Sequence, residues 1–430
     1  MSLPTPVEPT VSVQPAAPTQ KLLQPLRVPY LLVLFPVPFV RDAAGRLSID
    51  PLWAKDLVEH TRYLPQLTLV SYMTSAPQAP EGWIVLKDDP CLQRVRCVGV
   101  PKPRSTWHAI YSLPQVVSTL WRELGRHAVV HSGFSWPIGE AWLITPMLWF
   151  RKRFHLVVVE SATWRLIPGE RASFKRRLRA RVSEAMNRFC CNRVDMAIFT
   201  QAGYLDSLRT RERSKAHVIE ASWIDSDLII DAPELALTAA RRGSAAGRAL
   251  QIVFAGRLTA GKGIALLVDV VAGLVGAGQG IELDVFGEGE LLDSLNERIA
   301  KRSMNGSIRM RGTVPYGRAF LSALRAFDVL VVPSLSDEQP RIVYDAYSQA
   351  LPVIASDTAG LRQCVSEGST GWLFAANDDR ALGDRLSALC ADRSALLTMS
   401  ENCVTKARGM THAEMHMRRW RLLQAALAPA

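Results

Sequence analysis

Cysteine is scarce, with seven among 430 residues. The spacings are irregular and no C-x-x-C occurs, which excludes a disulfide framework. Cys190 and Cys191 are adjacent inside a helical pattern. The thiols read as reduced and mostly buried, as in a cytoplasmic protein. Long apolar runs are also missing. The stretch AWLITPMLWF contains Pro146 and runs into Arg151-Lys152-Arg153. It falls short of the roughly 20 apolar residues a membrane-spanning helix needs. The opening MSLPTPVEPTVSVQPAAPTQ lacks a basic region followed by an apolar one, so it does not read as a signal peptide. Its Pro/Thr bias predicts a disordered tail over 1–24. No cluster of histidine, cysteine and carboxylate has metal-ligand spacing. His412 and His416, four apart on a C-terminal helix, read as surface residues for want of a further ligand. No metal or other cofactor is expected.

Acidic residues are the minority, 40 against 51 lysines and arginines, for a formal charge of +11. That balance favours an anionic partner such as a nucleotide, a nucleic acid or an acidic membrane. No recognised nucleic-acid module accompanies it, so nucleic acid is not expected as the partner.

Two domains are expected at this length. Apolar, β-branched runs alternate with helix-length segments throughout. The first series covers 31–39, 67–73, 94–100, 128–133, 155–161, 196–201 and 217–221. The second covers 250–258, 281–289, 308–314, 329–335, 352–358 and 371–375. The runs are continuous rather than alternating, as in parallel strands covered on both faces and joined by right-handed βαβ crossovers. The expectation is α/β: two Rossmann-like doubly wound sheets facing a cleft. The first domain spans 25–230, an Ala/Gly/Arg-rich linker 231–248, the second domain 249–410 and a terminal helix 411–430. In such sheets ligands bind beyond the carboxyl ends of the strands, so the residues that end each run become the candidates.

Three segments in the second series carry chemistry. In FAGRLTAGKGIALL, Gly256 ends a strand, and Arg257 and Lys262 follow in a loop before a helix that begins near Gly263. Two cations five residues apart can converge on one diphosphate, the arginine as a fork and the lysine as a point charge. A solvated basic loop is the commoner fate of that spacing. In DVFGEGE, Gly287 and Gly289 flank Glu288 where the backbone can turn sharply or approach a ligand closely. In PSLSDEQPRIVYDAYSQALPVIASD, Pro340 stands at a helix start, so backbone N–H groups near Arg341, Ile342 and Val343 form an anion site. Asp337 precedes that helix and Asp345 lies about a turn inside it. Two carboxylates so placed can hold a sugar's hydroxyls and a ribose diol. Acids at a helix N-terminus also favour the macrodipole in any protein.

In order and spacing these segments resemble the family 4 glycosyltransferases of the GT-B fold, over roughly residues 250–385. That family builds its nucleotide-sugar site from a G-R-x4-K-G segment, a G-x-G turn and a P-S-x-x-E-x7-E segment. Gly256-Arg257 and Lys262-Gly263 match the first, Gly287-Glu288-Gly289 the second, and Pro333-Ser334 opens the third. The family's paired glutamates stand here as Asp337 and Asp345. Glu338 replaces the usual glycine, so either Asp337 or Glu338 is the first acid.

The resemblance implies a retaining hexosyltransferase that moves a sugar from a nucleotide-diphosphate sugar to a glycan or lipid-linked acceptor, in bacterial surface or exopolysaccharide biosynthesis. Arg257 and Lys262 would neutralise the leaving diphosphate, helped by Arg341 and Ile342, with no metal. Asp337 or Glu338 would hold the donor sugar and Asp345 the ribose. A family histidine contacts donor or acceptor near the place of His131, which ends the run AVVHSG and is expected to face the cleft. Gly45 is a weak match to a phosphate loop in the first domain. The altered acids leave a second reading, a nucleotide-sugar-binding subunit without catalysis. The basic segment ERASFKRRLRARVSEAMNRFCCNR places Phe174, Leu178, Val182, Ala185 and Phe189 on or near one helical face. It fits either peripheral contact with an anionic membrane, at the inner face, or simple cover for the first sheet.

Overall fold

The computed structural model describes residues 24–428, apart from 38, 135–138, 245–246 and 337. The described residues contain two sheets. The body of the first is parallel. Its strands run Arg96–Pro101, Leu67–Ser75, Tyr30–Val33, Val129–Ser132, Phe154–Val159, Met196–Phe199 and Ala216–Val218 across the sheet. The expected first run, 31–39, divides in two. Tyr30–Val33 is central, and Phe39–Arg41 leaves it to pair with the far end of Leu67–Ser75. Pro36 lies between them, and a proline cannot donate to a central ladder. Phe39–Arg41 then pairs antiparallel with Leu47–Ile49. Gly45 sits in the connecting turn at φ +77°, a hairpin position rather than a phosphate loop.

The second sheet is wholly parallel, in the order Ile308–Gly312, Ile281–Phe286, Leu250–Ala255, Val329–Val332, Val353–Ser356 and Gly371–Phe374. Its continuous apolar runs have a direct cause. Leu250, Ile252 and Phe254 pack into one core cluster, while Val253 packs into another on the opposite face. Strand order reverses between Leu250–Ala255 and Val329–Val332, which opens a crevice at their carboxyl ends.

The segment expected as a linker is largely helix. Asp231 caps Ala232–Gly243 by accepting from the Glu234 N–H. Arg242 is fully buried and donates to the carbonyls of Phe327, Gln349 and Ala350. Arg241 and Arg248 flank it and reach Asp328 at 3.3 and 2.6 Å. Composition suggested a linker, but these arginines serve backbone carbonyls and the buried Asp328 at the amino end of a central strand of the second sheet.

The C-terminal helix, His412–Leu427, returns to the first sheet, where Met415 and Leu423 enter the core. His412 and His416 are not surface residues. They are buried against Asp56 of the helix Pro51–Thr61, because the chain's last helix crosses back over the domain its first half built.

Asp328 is fully buried among Arg241, Arg248 and Arg393, and also accepts from the Gln251 N–H at 3.0 Å. Removing a buried partner strands the charges around it. Asp328→Ala is expected to cost about 3–5 kcal/mol of stability in urea denaturation.

Candidate active site

The loop that follows Leu250–Ala255 lies against the loop that follows Val329–Val332 because residue 263 has no side chain. Gly263 has φ +68°, and a Cβ there would stand 1.8 Å from the Pro333 carbonyl oxygen. Gly287 plays the same part on the other side. A Cβ at φ +136° would meet the Gly256 oxygen at 1.9 Å. These are glycines of the sequence motifs, and here their purpose is close backbone approach.

The approach brings the motifs to one cavity of about 320 Å3. Gly256, Arg257, Lys262, Glu338, Arg341, Ile342 and Asp345 all line it. Lys262 Nζ donates to Glu338 Oε2 at 2.7 Å. Arg257 is exposed at the rim, with no ion pair to it among the described residues. The Arg341 guanidinium lies over the Trp223 ring, 4.9 Å from its centroid, a cation–π contact that sets its direction. The helix behind it, Ile342–Ser348, has only seven residues and no side-chain cap. Its dipole is therefore a smaller source of positive potential than the three cations.

Asp345 is 6% exposed and accepts from the Tyr316 hydroxyl at 3.0 Å. Burial pushes its carboxyl up to about 6, against the pull of the Tyr316 hydrogen bond, Arg341 and Lys55. A carboxylate held in this way gains from any ligand hydroxyl or cation that enters beside it. Asp337, the other family acid, lies outside the described residues.

His131 does not join this set. It is 3% exposed on Val129–Ser132, and its Nδ1 meets the Tyr30 hydroxyl at 3.1 Å. Burial holds its imidazole well below the usual range. It lines a separate cavity of about 220 Å3 with Trp53, Glu160 and Arg419. Gly289 supports its loop from outside, with its Cβ position 2.5 Å from the Leu258 oxygen.

Lining residues missed in the sequence include Leu52, Trp223, Tyr316 and Gln339. Tyr316 follows the strand Ile308–Gly312, so the rule that singled out strand ends could have found it. Gln339 lay inside a motif already under scrutiny. Its amide exchanges two hydrogen bonds with the Ala221 backbone, at 2.8 and 3.0 Å, and so joins the two halves of the chain. Leu52 lies among the elements of the first sheet and Trp223 just after its last strand, and nothing local marks either.

Two parallel sheets of this kind, with a cationic crevice at the second sheet's switch point, define the GT-B class of glycosyltransferase folds. Residues 239–410 match the family described as Glycosyl transferases group 1. The chain is 30% identical over 169 residues to D-inositol 3-phosphate glycosyltransferase of Nocardia farcinica, across 38% of this chain and 37% of that protein. It is 25% identical over 146 residues to lipopolysaccharide core biosynthesis glycosyltransferase LpsE of Rhizobium meliloti, across 34% and 41%. These matches span about two fifths of the relatives' own length. The fold agrees over more of the chain. Sucrose-phosphate synthase from Thermosynechococcus elongatus superimposes with a TM-score of 0.69 over 94% of this chain and 100% of its own, at 16% identity.

The raised carboxyl has a consequence for stability. Between the unfolded value of 3.8 and the folded value of about 6, the folded state holds the extra proton. The ligand-free protein should therefore lose stability relative to Asp345→Asn as pH rises through that window, by on the order of 3 kcal/mol, and level off above it. Urea denaturation of both proteins across the window checks the sign.

Proposed function

We propose that this chain is a retaining glycosyltransferase that takes a nucleotide-diphosphate sugar in the crevice of its second sheet. One observation carries the proposal: Arg257, Lys262 and Arg341 converge with Glu338 and Asp345 in a single cavity at the switch point. The cations suit a diphosphate. As the bond from the sugar's anomeric carbon to the diphosphate oxygen breaks, negative charge builds on the phosphates, and Arg257 and Lys262 stabilise it. An incoming diphosphate competes with Glu338 for Lys262, which frees the Glu338 carboxylate for donor hydroxyls beside Asp337. Asp345 takes the ribose. This scheme calls for no metal at the donor.

The acceptor would approach from the first domain, where His131, Glu160 and Arg419 line the second cavity. A glycan or lipid-linked acceptor, in surface polysaccharide assembly, is the class supported by the relative named for lipopolysaccharide core biosynthesis.

A membrane-bound acceptor also accounts for the helix Phe174–Cys191. Its buried face is small and polar, with Ala180, Ser183, Asn187 and Cys190 turned inward. Phe174, Leu178 and Val182 face outward, at 79%, 50% and 50% exposure. Core cover would put these residues the other way round. Exposed Trp149 makes a ring contact with Phe189, and Arg193 lies over both. Aromatic rings beside arginines suit an anionic bilayer surface. No helix among the described residues is long and apolar enough to cross a membrane, so contact would be peripheral, at the cytoplasmic face.

Two measurements test these readings. Release of nucleotide diphosphate from a panel of nucleotide sugars should fall by about 10²–10³ in Arg257→Ala/Lys262→Ala. Equal release by both proteins ends the catalytic assignment. Nucleotide-sugar binding with no turnover by the unaltered chain leaves the non-catalytic subunit. For the membrane, Phe174→Ser/Leu178→Ser/Val182→Ser should weaken sedimentation with phosphatidylglycerol vesicles while its thermal transition stays put. Undiminished sedimentation removes this helix from the membrane contact.

A further inference from the structure

Outside the donor crevice, the C-terminal helix and the helix Pro51–Thr61 meet through three buried polar side chains. Asp56 Oδ1 lies 3.2 Å from His412 Nε2 and 3.1 Å from His416 Nε2, and the two nitrogens are 3.2 Å apart. All three residues are under 7% exposed. We propose that Asp56, His412 and His416 bind one divalent transition-metal ion, with zinc as the ion of best fit.

The triangle has the right size. Ligand atoms about 2.1 Å from one ion stand roughly 3.0 Å apart in octahedral and 3.4 Å apart in tetrahedral geometry. All three edges here fall between those limits. Two imidazoles and a carboxylate suit zinc and its first-row neighbours, whereas calcium and magnesium prefer oxygen alone.

Protons satisfy the triangle poorly. With Asp56 ionised, each imidazole must donate from Nε2 to the same oxygen, and the two N–H groups then crowd one another. If either nitrogen keeps its lone pair instead, it faces the carboxylate oxygen as a second acceptor. A single cation engages all three lone pairs at once.

Neighbouring residues hold two of the ligands as an outer shell would. With Nε2 of His416 on the metal, its Nδ1–H donates to the Tyr63 hydroxyl, 3.1 Å away. His60 Nδ1 lies 2.9 Å from the Asp56 backbone carbonyl and 3.2 Å from Oδ2, the oxygen the triangle leaves over. Outer partners of this kind fix tautomer and carboxylate orientation at metal sites. Among the described residues no fourth ligand atom joins the three, so water would complete the coordination. Asp56 also lines the 220 Å3 cavity, which provides a route in.

The site has a mechanical consequence. The His412 ring stacks on Trp223 with centroids 5.2 Å apart and planes at 14°. Trp223 in turn carries Arg341 at the donor crevice. An ion that fixes His412 therefore fixes a wall of that crevice and fastens the last helix to the first domain. Binding of the ion does not depend on whether the crevice takes a nucleotide sugar.

The experiment uses the full chain, purified without chelator from cells grown with added zinc. Elemental analysis should find one zinc per chain. Protein stripped with EDTA should melt several degrees lower and regain its transition with one equivalent of Zn²⁺. Co²⁺ in its place should give visible d–d absorption that saturates at one equivalent. His412→Asn/His416→Asn, which removes both Nε2 atoms, should abolish the zinc and the cobalt spectrum. An unaltered chain that carries no stoichiometric zinc, shows no cobalt spectrum and melts alike with and without EDTA overturns the site. So does a double variant that retains its metal. The first set of measurements needs no substitution, so a variant that fails to fold does not shield the proposal.

Discussion

The Pro333 carbonyl oxygen occupies the place where a side chain on residue 263 would begin, and the Gly256 oxygen does the same to residue 287. The crevice at the second sheet's switch point is shaped by those two contacts. They bring three loops from three strands within a side chain's reach of one another at the point where strand order reverses. Lys262 can then meet Glu338 across 76 residues of chain, and Arg257, Arg341 and Asp345 share the same space. With larger residues at these positions the loops would stand apart, and the same charges would be a scatter of solvated side chains.

Electrostatics divides the molecule into regions with different tasks. At the amino end of a central strand of the second sheet, Asp328 and the arginines around it form a closed network that holds structure. In the crevice the balance is left open. Its cations outnumber the described acids free to meet them, and Asp345 carries a carboxyl whose burial is only partly compensated. Closed networks stabilise a fold, while uncompensated ones are suited to a charged ligand. At the seam between the C-terminal helix and the first domain, Asp56 gathers imidazoles in an arrangement that a cation completes better than protons do.

Trp223 lies between these regions. It stacks on His412 on one side and carries Arg341 on the other. It follows the last strand of the first sheet yet forms part of the second sheet's crevice. The relation between the two halves is thus carried by specific contacts, Gln339 with Ala221 and Trp223 with Arg341, as well as by the returning helix.

Local pattern was enough for most of the strands and for many of the residues that line the crevice at the second sheet's switch point. Continuous apolar runs mean strands buried on both faces, and the spacing of Gly256, Arg257, Lys262, Gly287 and Asp345 is a property of loops that follow such strands. These signals are short-range, so they are legible in one dimension. The larger misreadings concern partners remote in sequence. Residues 231–248 looked like a linker because nothing nearby explains three arginines, whose acceptors lie some 80 residues or more away. His412 and His416 looked exposed because their carboxylate is Asp56, 356 residues from the first of them. The helix Phe174–Cys191 has an apolar stripe by its spacing, but only packing decided that the stripe faces outward. Periodicity reports that a face exists. Which way it points depends on what the rest of the chain has left uncovered.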